Sequence, residues 1–236
     1  MNKPFVITIV GAESSGKTTL AMRLAEYFAC PWVPEYAREY LEGLGRPYNE
    51  RDLEIISEGQ LEEINRQLAI SNKQKTIGNQ QLATSNRQLA NDNMQYAIGN
   101  KQLAIGKKQS KESGQPIYLK DVVNHINSLL VTRYSSILVL DGGMMNLRLW
   151  ARIKYKSKIQ IVEDTLKDDV TDLYLLCRPL NEWEPDPMRE APSIIDRVWI
   201  YNQYLKELAS SSARFEIVDS TENEKQERAL QIISKL

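Results

Sequence analysis

Gly11-Ala12-Glu13-Ser14-Ser15-Gly16-Lys17-Thr18 has the spacing G-x-x-x-x-G-K-[ST] of a phosphate-binding loop. The six residues before it, Phe5-Val6-Ile7-Thr8-Ile9-Val10, are apolar and rich in β-branched side chains, which predicts a buried strand. After it, Leu20, Leu24, Ala25 and Phe28 recur at helical spacing. Strand, glycine loop and helix together make an anion socket, because loop N–H groups converge and the helix N-terminus adds partial positive charge. The expected nucleotide contacts are Gly11, Glu13, Ser14, Ser15, Gly16, Lys17, Thr18 and Thr19. In such a loop Lys17 reaches the β- and γ-phosphates and the Thr18 hydroxyl holds Mg²⁺. The expected cofactors are therefore ATP and Mg²⁺. An Asn-Lys-x-Asp guanine reader is missing, since Asn72-Lys73 and Asn100-Lys101 are not followed by the Asp; this favours ATP over GTP.

Outward from the loop, four further strand-like runs appear: Trp32–Val33, Ile137–Leu140, Leu173–Cys177 and Phe215–Val218. Helical patterns lie between them. One is capped by Asn49 and carries Leu53, Ile56, Leu61 and Ile64; a second carries Leu119, Val122, Val123, Ile126 and Leu130. A third carries Ile194, Ile195, Val198, Tyr201, Tyr204, Leu205 and Leu208. Thr221 with Glu224 is read as a capping box for a last helix bearing Leu230, Ile233 and Leu236. Alternation of β and α with a phosphate loop after the first strand predicts the α/β fold of P-loop nucleoside triphosphate hydrolases. The expected form is kinase-like, a five-stranded parallel sheet with helices on both faces.

The length, 236 residues, suits one domain over 1–236 with room for an insertion. That insertion is read at 67–115. Residues 67–108 parse into six tandem units of seven: QLAISNK, QKTIGNQ, QLATSNR, QLANDNM, QYAIGNK and QLAIGKK. The apolar places are adjacent, as in Leu68-Ala69-Ile70, rather than three and four apart as a coiled-coil seam needs. Gly78, Gly99 and Gly106 each weaken a helix by about 1 kcal/mol. Two readings follow: a solvated, partly helical or disordered insert without chemistry, or a helical hairpin serving self-association. Lys111 to Pro116 reads as the exit linker.

A formal charge of −1 argues against broad nucleic-acid binding. No apolar run reaches membrane-span length, and the passage from Met1-Asn2-Lys3-Pro4 straight into the first strand leads us to expect no signal peptide. Cys30 and Cys177 have no C-x-x-C partner, which fits a reduced, cytoplasmic setting. His125 has no metal-ligand pattern around it.

In this fold, partners of the loop come from the carboxyl ends of neighbouring strands. Asp141, after Ile137-Leu138-Val139-Leu140, is the candidate to complete the Mg²⁺ shell with Thr18. Glu35, in Pro34-Glu35-Tyr36-Ala37-Arg38-Glu39, can orient or deprotonate an acceptor hydroxyl, and Arg38 can clamp a polar substrate or pair with Glu35. Arg189, at the end of Asn181-Glu182-Trp183-Glu184-Pro185-Asp186-Pro187-Met188-Arg189-Glu190, is placed where a lid can bring a cation to the phosphates.

The combination of GAESSGKTTLA (11–21), PEYAREYLE (34–42), Asp52-Leu53 through Gly59-Gln60, Asp141 at a strand end and LYLLCRPLNEWEPDPMRE (173–190) resembles NadR-type ribosylnicotinamide kinase domains, a NadR/Ttd-type AAA-like P-loop family. The similarity covers residues 3–64 and 119–236, leaving out the repeats. The resemblance implies ATP-dependent phosphorylation of nicotinamide riboside or a similar nucleoside. Lys17, Glu35, Asp141 and Arg189 then form the catalytic set, and Glu35, Tyr36, Arg38 and Trp32 contact the small-molecule substrate. The family also has an adenylyltransferase domain, which we expect to be missing here because the sequence opens on the first strand. Three departures stand out. Asp141-Gly142-Gly143 replaces the family's Asp-Thr-Asp, Pro34 occupies an aromatic position that Trp32 can substitute, and the repeats interrupt the acceptor region. Loss of the second acid at Gly143 is the feature favouring the alternative, an ATP-binding regulatory or interaction protein with weak or no phosphotransfer.

Overall fold

The computed structural model describes residues 3–71, 136–181, 190–221 and 224–236. Five strands, β1 (Phe5–Gly11), β2 (Trp32–Val33), β3 (Ile137–Asp141), β4 (Leu173–Cys177) and β5 (Phe215–Val218), form one sheet in the order β2-β3-β1-β4-β5. Every pairing is parallel. The order reverses beside β1, so the loop after β1 opens into the crevice at the carboxyl edge of the sheet, where ligands of such folds bind. The register sets Ile9 opposite Asp141 and Gly11 opposite Cys177, which brings Asp141 alongside the start of the loop.

The helices are α1 (Lys17–Phe28), α2 (Tyr36–Glu42), α3 (residues 50–71), α4 (Gly143–Trp150, continued as a π-helical turn over Ala151–Tyr155), α5 (Gln160–Thr165), α6 (Ile194–Ser210) and α7 (Lys225–Ile233). They cover both faces of the sheet. Alternate residues of β1 explain why: Phe5, Ile7 and Ile9 enter a core with Leu20, Leu24, Ile232 and Ile233, while Val6 enters a core with Leu53, Ile56, Leu138 and Leu140. Val10 joins Met145, Leu149, Tyr201, Tyr204 and Leu208 under α6. Truncating Leu24, wholly buried in the first core, to Ala should destabilise the fold by about 2–5 kcal/mol.

Asn49 caps α3 as expected, its side-chain oxygen accepting from the amides of Arg51 (2.9 Å) and Asp52 (3.4 Å). Two local expectations are corrected. The Thr221 hydroxyl donates to the Glu224 carboxylate (2.9 Å) rather than capping an amide, so α7 begins without the predicted capping box. Ile194, Ile195 and Val198 do not enter the core: they remain exposed, Ile195 at 76%, and only the later part of the α6 pattern is buried. The start of the first repeat is helical. Residues 67–71 form the last turn of α3, with Leu68 packed on the core and Ser71 buried. The remaining repeats, the exit linker, the helix expected around Leu119 to Leu130, and His125 lie outside the described residues.

Candidate functional site

The loop from Gly11 to Gly16 lines one end of a cleft of about 480 Å³. Gly11 is required at the turn into it: its φ is +148°, and a Cβ there would lie 2.6 Å from the Cys177 carbonyl oxygen. Lys17 Nζ donates to the Ala12 carbonyl at 2.9 Å, which lays the ammonium across the mouth of the loop. The Thr18 hydroxyl donates to Asp141 Oδ2 at 2.6 Å. Asp141 is 1% exposed, and its second oxygen, Oδ1, has no hydrogen-bond partner among the described residues. Burial, and then the charge of Glu35, push its carboxyl up to about 6, against the opposing pull of Lys17, the Thr18 hydrogen bond and Arg38.

These features fit a Mg²⁺ ion. A buried carboxylate oxygen without a donor, beside a threonine hydroxyl oxygen at a phosphate loop, is the oxygen donor set such an ion takes when phosphates complete its shell. Among the described residues there is no cluster of three or more His, Cys, Asp or Glu side chains that could hold a metal alone.

Glu35 precedes α2 and lines the same cleft as Lys17 and Thr18. Its carboxylate accepts from Asn146 Nδ2 (3.2 Å), and Asn146 Oδ1 in turn accepts from the buried Tyr204 hydroxyl (2.8 Å). With Tyr204 donating to the amide oxygen, the amide nitrogen faces Glu35. Gly142 makes room for this side chain, since a Cβ there would lie 2.3 Å from Asn146 Nδ2. The chain Glu35–Asn146–Tyr204 joins α2, α4 and α6, and no sequence motif announces it. Only the helical spacing of α6 shows that Tyr204 belongs to its buried face.

Sequence-predicted residues divide on where the fold puts them. Gly11, Glu13, Ser14, Ser15, Gly16, Lys17, Thr18, Thr19, Glu35 and Arg38 all line the cleft, and Asp141 meets it through Thr18. Glu13 also has a tie of its own: its carboxylate accepts from the amides of Glu190 (3.0 Å) and Ala191 (2.9 Å), fastening the segment before α6 to the loop. Trp32 does not join them and packs with Phe28 and Cys30 on the α1 side of the sheet. Tyr36 lies on the opposite core, its ring filling the space left by Gly59, where a Cβ would come within 2.3 Å. Both rings are only partly buried, each packed against a core cluster. The aromatic surface of the cleft is instead supplied by Trp150 and Trp199, with Ile153 and Ile200 beside them. Arg189 lies outside the described residues.

Cys177 is fully buried and burial pushes its thiol up to about 11, so it offers no thiolate at neutral pH. Gly143 has φ +64° and a Cβ there would face Thr8 Cγ2 (3.6 Å) and Leu140 Cδ1 (3.9 Å). It therefore opens on a separate cavity of about 350 Å³ lined by Thr8, Asp168 and Tyr174, away from the phosphate loop. No helix among the described residues is long and apolar enough to cross a membrane.

Residues 6–78 match a family model described as an AAA domain. Comparison with curated proteins finds no match. Among solved structures the chain is similar to a NadR protein in complex with NR, at 19% identity and a TM-score of 0.62, covering 98% of this chain and 51% of that one. It is also similar to a NadR protein in complex with NAD and AMP-PNP, at 18% identity and a TM-score of 0.58, covering 98% of this chain and 49% of that one. The chain thus spans about half the length of these structures. The likeness establishes a P-loop α/β fold of the NadR type, the one its motifs resemble.

Proposed function

We propose that this chain is a Mg²⁺- and ATP-dependent small-molecule kinase acting on a ribose hydroxyl of nicotinamide riboside or a similar nucleoside. The observation that carries the reading is a single cleft with a phosphate loop at one end and a carboxylate, Glu35, held in place through Asn146 and Tyr204. Phosphoryl transfer asks for positioned phosphates, charge neutralisation and an oriented acceptor, and little covalent participation by the protein. The fold shared with NadR structures that hold NR and AMP-PNP supports the same substrates here.

In this reading the loop amides and Lys17 hold the β- and γ-phosphates, and Lys17 exchanges its contact with the Ala12 carbonyl for phosphate oxygens. Thr18 and Asp141 hold Mg²⁺, whose contribution when bound is to neutralise charge on the β- and γ-oxygens. The acceptor lies across the cleft with its planar base against Trp150 and Trp199 and its hydroxyl toward Glu35. The hydroxyl oxygen forms a bond to the γ-phosphorus as the bond from that phosphorus to the β,γ-bridging oxygen breaks. ADP leaves with the electron pair, and the hydroxyl proton passes to Glu35. Such a positioned base contributes on the order of 10²–10⁴ in rate. Arg38 supplies a cation at the acceptor end. Arg189, which follows β4 in sequence where a lid can form, is proposed to add one at the phosphates.

The regulatory alternative rests on Gly143. Because that position faces Thr8 and Leu140, an acid there adds nothing to the cleft on this backbone, which supports the kinase reading over the alternative. The test is ADP production from Mg·ATP with and without nicotinamide riboside, other ribonucleosides serving as controls. Riboside-dependent ADP, with nicotinamide mononucleotide formed in equal amount, is expected. ADP release indifferent to every nucleoside would refute it.

A further inference from the structure

Lys225 is the first residue of α7 and is 2% exposed. Its ammonium donates to the Ser15 carbonyl at 2.8 Å and sits 3.4 Å from the carbonyl of Arg178 at the end of β4. Two unfavourable terms attend this placement. A buried cation loses its hydration, and the N-terminal turn of a helix carries partial positive charge that repels it. What the ammonium does follows from the peptide it holds. Ser15 C=O and Gly16 N–H belong to one planar trans unit, so they point in opposite directions. With the carbonyl drawn to Lys225, the Gly16 N–H is turned the other way, and Gly16 lines the cleft. Gly16 adopts φ +71°, and a Cβ there would lie 3.6 Å from Lys225 Cδ and 3.7 Å from its Nζ, so the lysine lies flat along the outside of the loop. A cation on the carbonyl also polarises the peptide and makes its N–H a stronger donor.

We propose that Lys225 is a positioning residue of the phosphate site: it holds the Ser15–Gly16 peptide with its N–H presented to the phosphates of the nucleotide. The proposal rests on the nucleotide-binding reading above. It places a determinant of phosphate affinity more than two hundred residues from the loop it serves, as the 210-residue separation of Lys225 and Ser15 records.

The experiment is calorimetric titration of ADP into the full chain and its variants, with thermal melts of each unliganded protein. In Lys225→Met, ADP affinity should fall about tenfold, equivalent to about 1.4 kcal/mol. Lys225→Arg, which keeps a cation and donors, should recover to within about threefold of wild type. Ala229→Gly, which weakens the same helix without touching the loop, should stay within twofold. If Lys225→Met does not fold, Lys225→Gln takes its place, with a loss of at least threefold expected. The proposal is overturned if Lys225→Met stays within twofold of wild type, if Ala229→Gly loses as much, or if neither neutral variant folds even with saturating ADP, since Lys225 is then a residue of the fold. Failure of the wild-type chain to bind ADP refutes the nucleotide reading itself and the proposal with it.

Discussion

Replacing Asp141 by Asn should make the unliganded protein more stable while removing its activity. Asp141 is buried and faces Glu35, and its carboxyl is pushed from an ordinary 3.8 up to about 6. Between those values the unfolded chain has released a proton that the folded chain still holds. Folding stability therefore falls as pH rises through this interval, and the full penalty applies above pH 6. At about 1.4 kcal/mol per pH unit, the interval from 3.8 to about 6 amounts to a penalty of about 3 kcal/mol at pH 7.5. Asn is neutral, keeps an oxygen for the Thr18 hydroxyl and places the two donors of its amide where Oδ1 has no partner, which takes back at least about 1 kcal/mol. The net gain, at most about 2 kcal/mol, should appear as a rise of up to about 4–8 °C in Tm at pH 7.5. At pH 4.5 about two thirds of the penalty is gone, and the rise should nearly vanish. The same melts with ADP, before and after Mg²⁺ is added, complete the assay: Mg²⁺ should stabilise the wild type further and leave the variant unmoved. Turnover should fall on the order of 10–100-fold or more. A variant less stable than wild type at pH 7.5, or a shift of equal size at both pH values, would show that Asp141 carries no stored electrostatic strain.

Four other outcomes follow from the same geometry. Lys17→Ala should nearly abolish ADP binding by titration calorimetry while its urea transition stays cooperative; wild-type affinity would remove Lys17 from the phosphate site. Tyr204→Phe frees the Asn146 amide to turn and should lower kcat about tenfold with KM for ATP unchanged, an effect of about 1.4 kcal/mol; an unchanged kcat would leave the Glu35–Asn146–Tyr204 chain without a catalytic role. Gly143→Asp should bring no gain in transfer, because its side chain meets Thr8 and Leu140 rather than the cleft; a large gain measured as riboside-dependent ADP would revive the idea of a decayed second acid. Replacing residues 73–108 by a short Gly/Ser linker should leave ADP affinity within twofold, as the proposed insertion without chemistry requires; a tenfold loss would assign the repeats a part in the site.

What could be read from the sequence was whatever local chemistry decides on its own. A run such as Phe5–Val10 can only be a buried strand here, and the glycines at 11 and 16 admit few loops, so the socket follows from adjacent residues. Asp141 was legible for a related reason: an acid ending an apolar strand, in a parallel sheet whose order reverses beside β1, has one place to go. Apolar spacing proved a poorer guide at α6. Ile194, Ile195 and Val198 have the period of a buried face yet stay exposed, while Tyr201, Tyr204 and Leu208 on the same helix are covered by the sheet. Periodicity reports that a helix has an apolar side; it does not report how far along the helix the neighbouring layer extends.

The residues that reading missed share a different property. Trp150, Trp199, Asn146, Tyr204 and Lys225 reach the site from elements brought there by tertiary packing, and none belongs to a motif of fixed spacing. Trp32 and Tyr36 flank Glu35 in sequence, yet neither lines the cleft: both are partly buried against the core clusters. The competition is decided by area. A large aromatic ring buried in a core gains roughly 25 cal/mol for each Å² removed from water whether or not substrate is present. A ring in an open cleft gains it only on binding. Trp199 illustrates the second case: it is 48% exposed in the unliganded protein, on the cleft side of a helix whose other face is packed. In the proposed reading that exposed area is what the planar base of the acceptor would cover. In that reading the contact with the base turns on this ring and Trp150 rather than on Trp32 and Tyr36, while Glu35 and Arg38 keep the acceptor end.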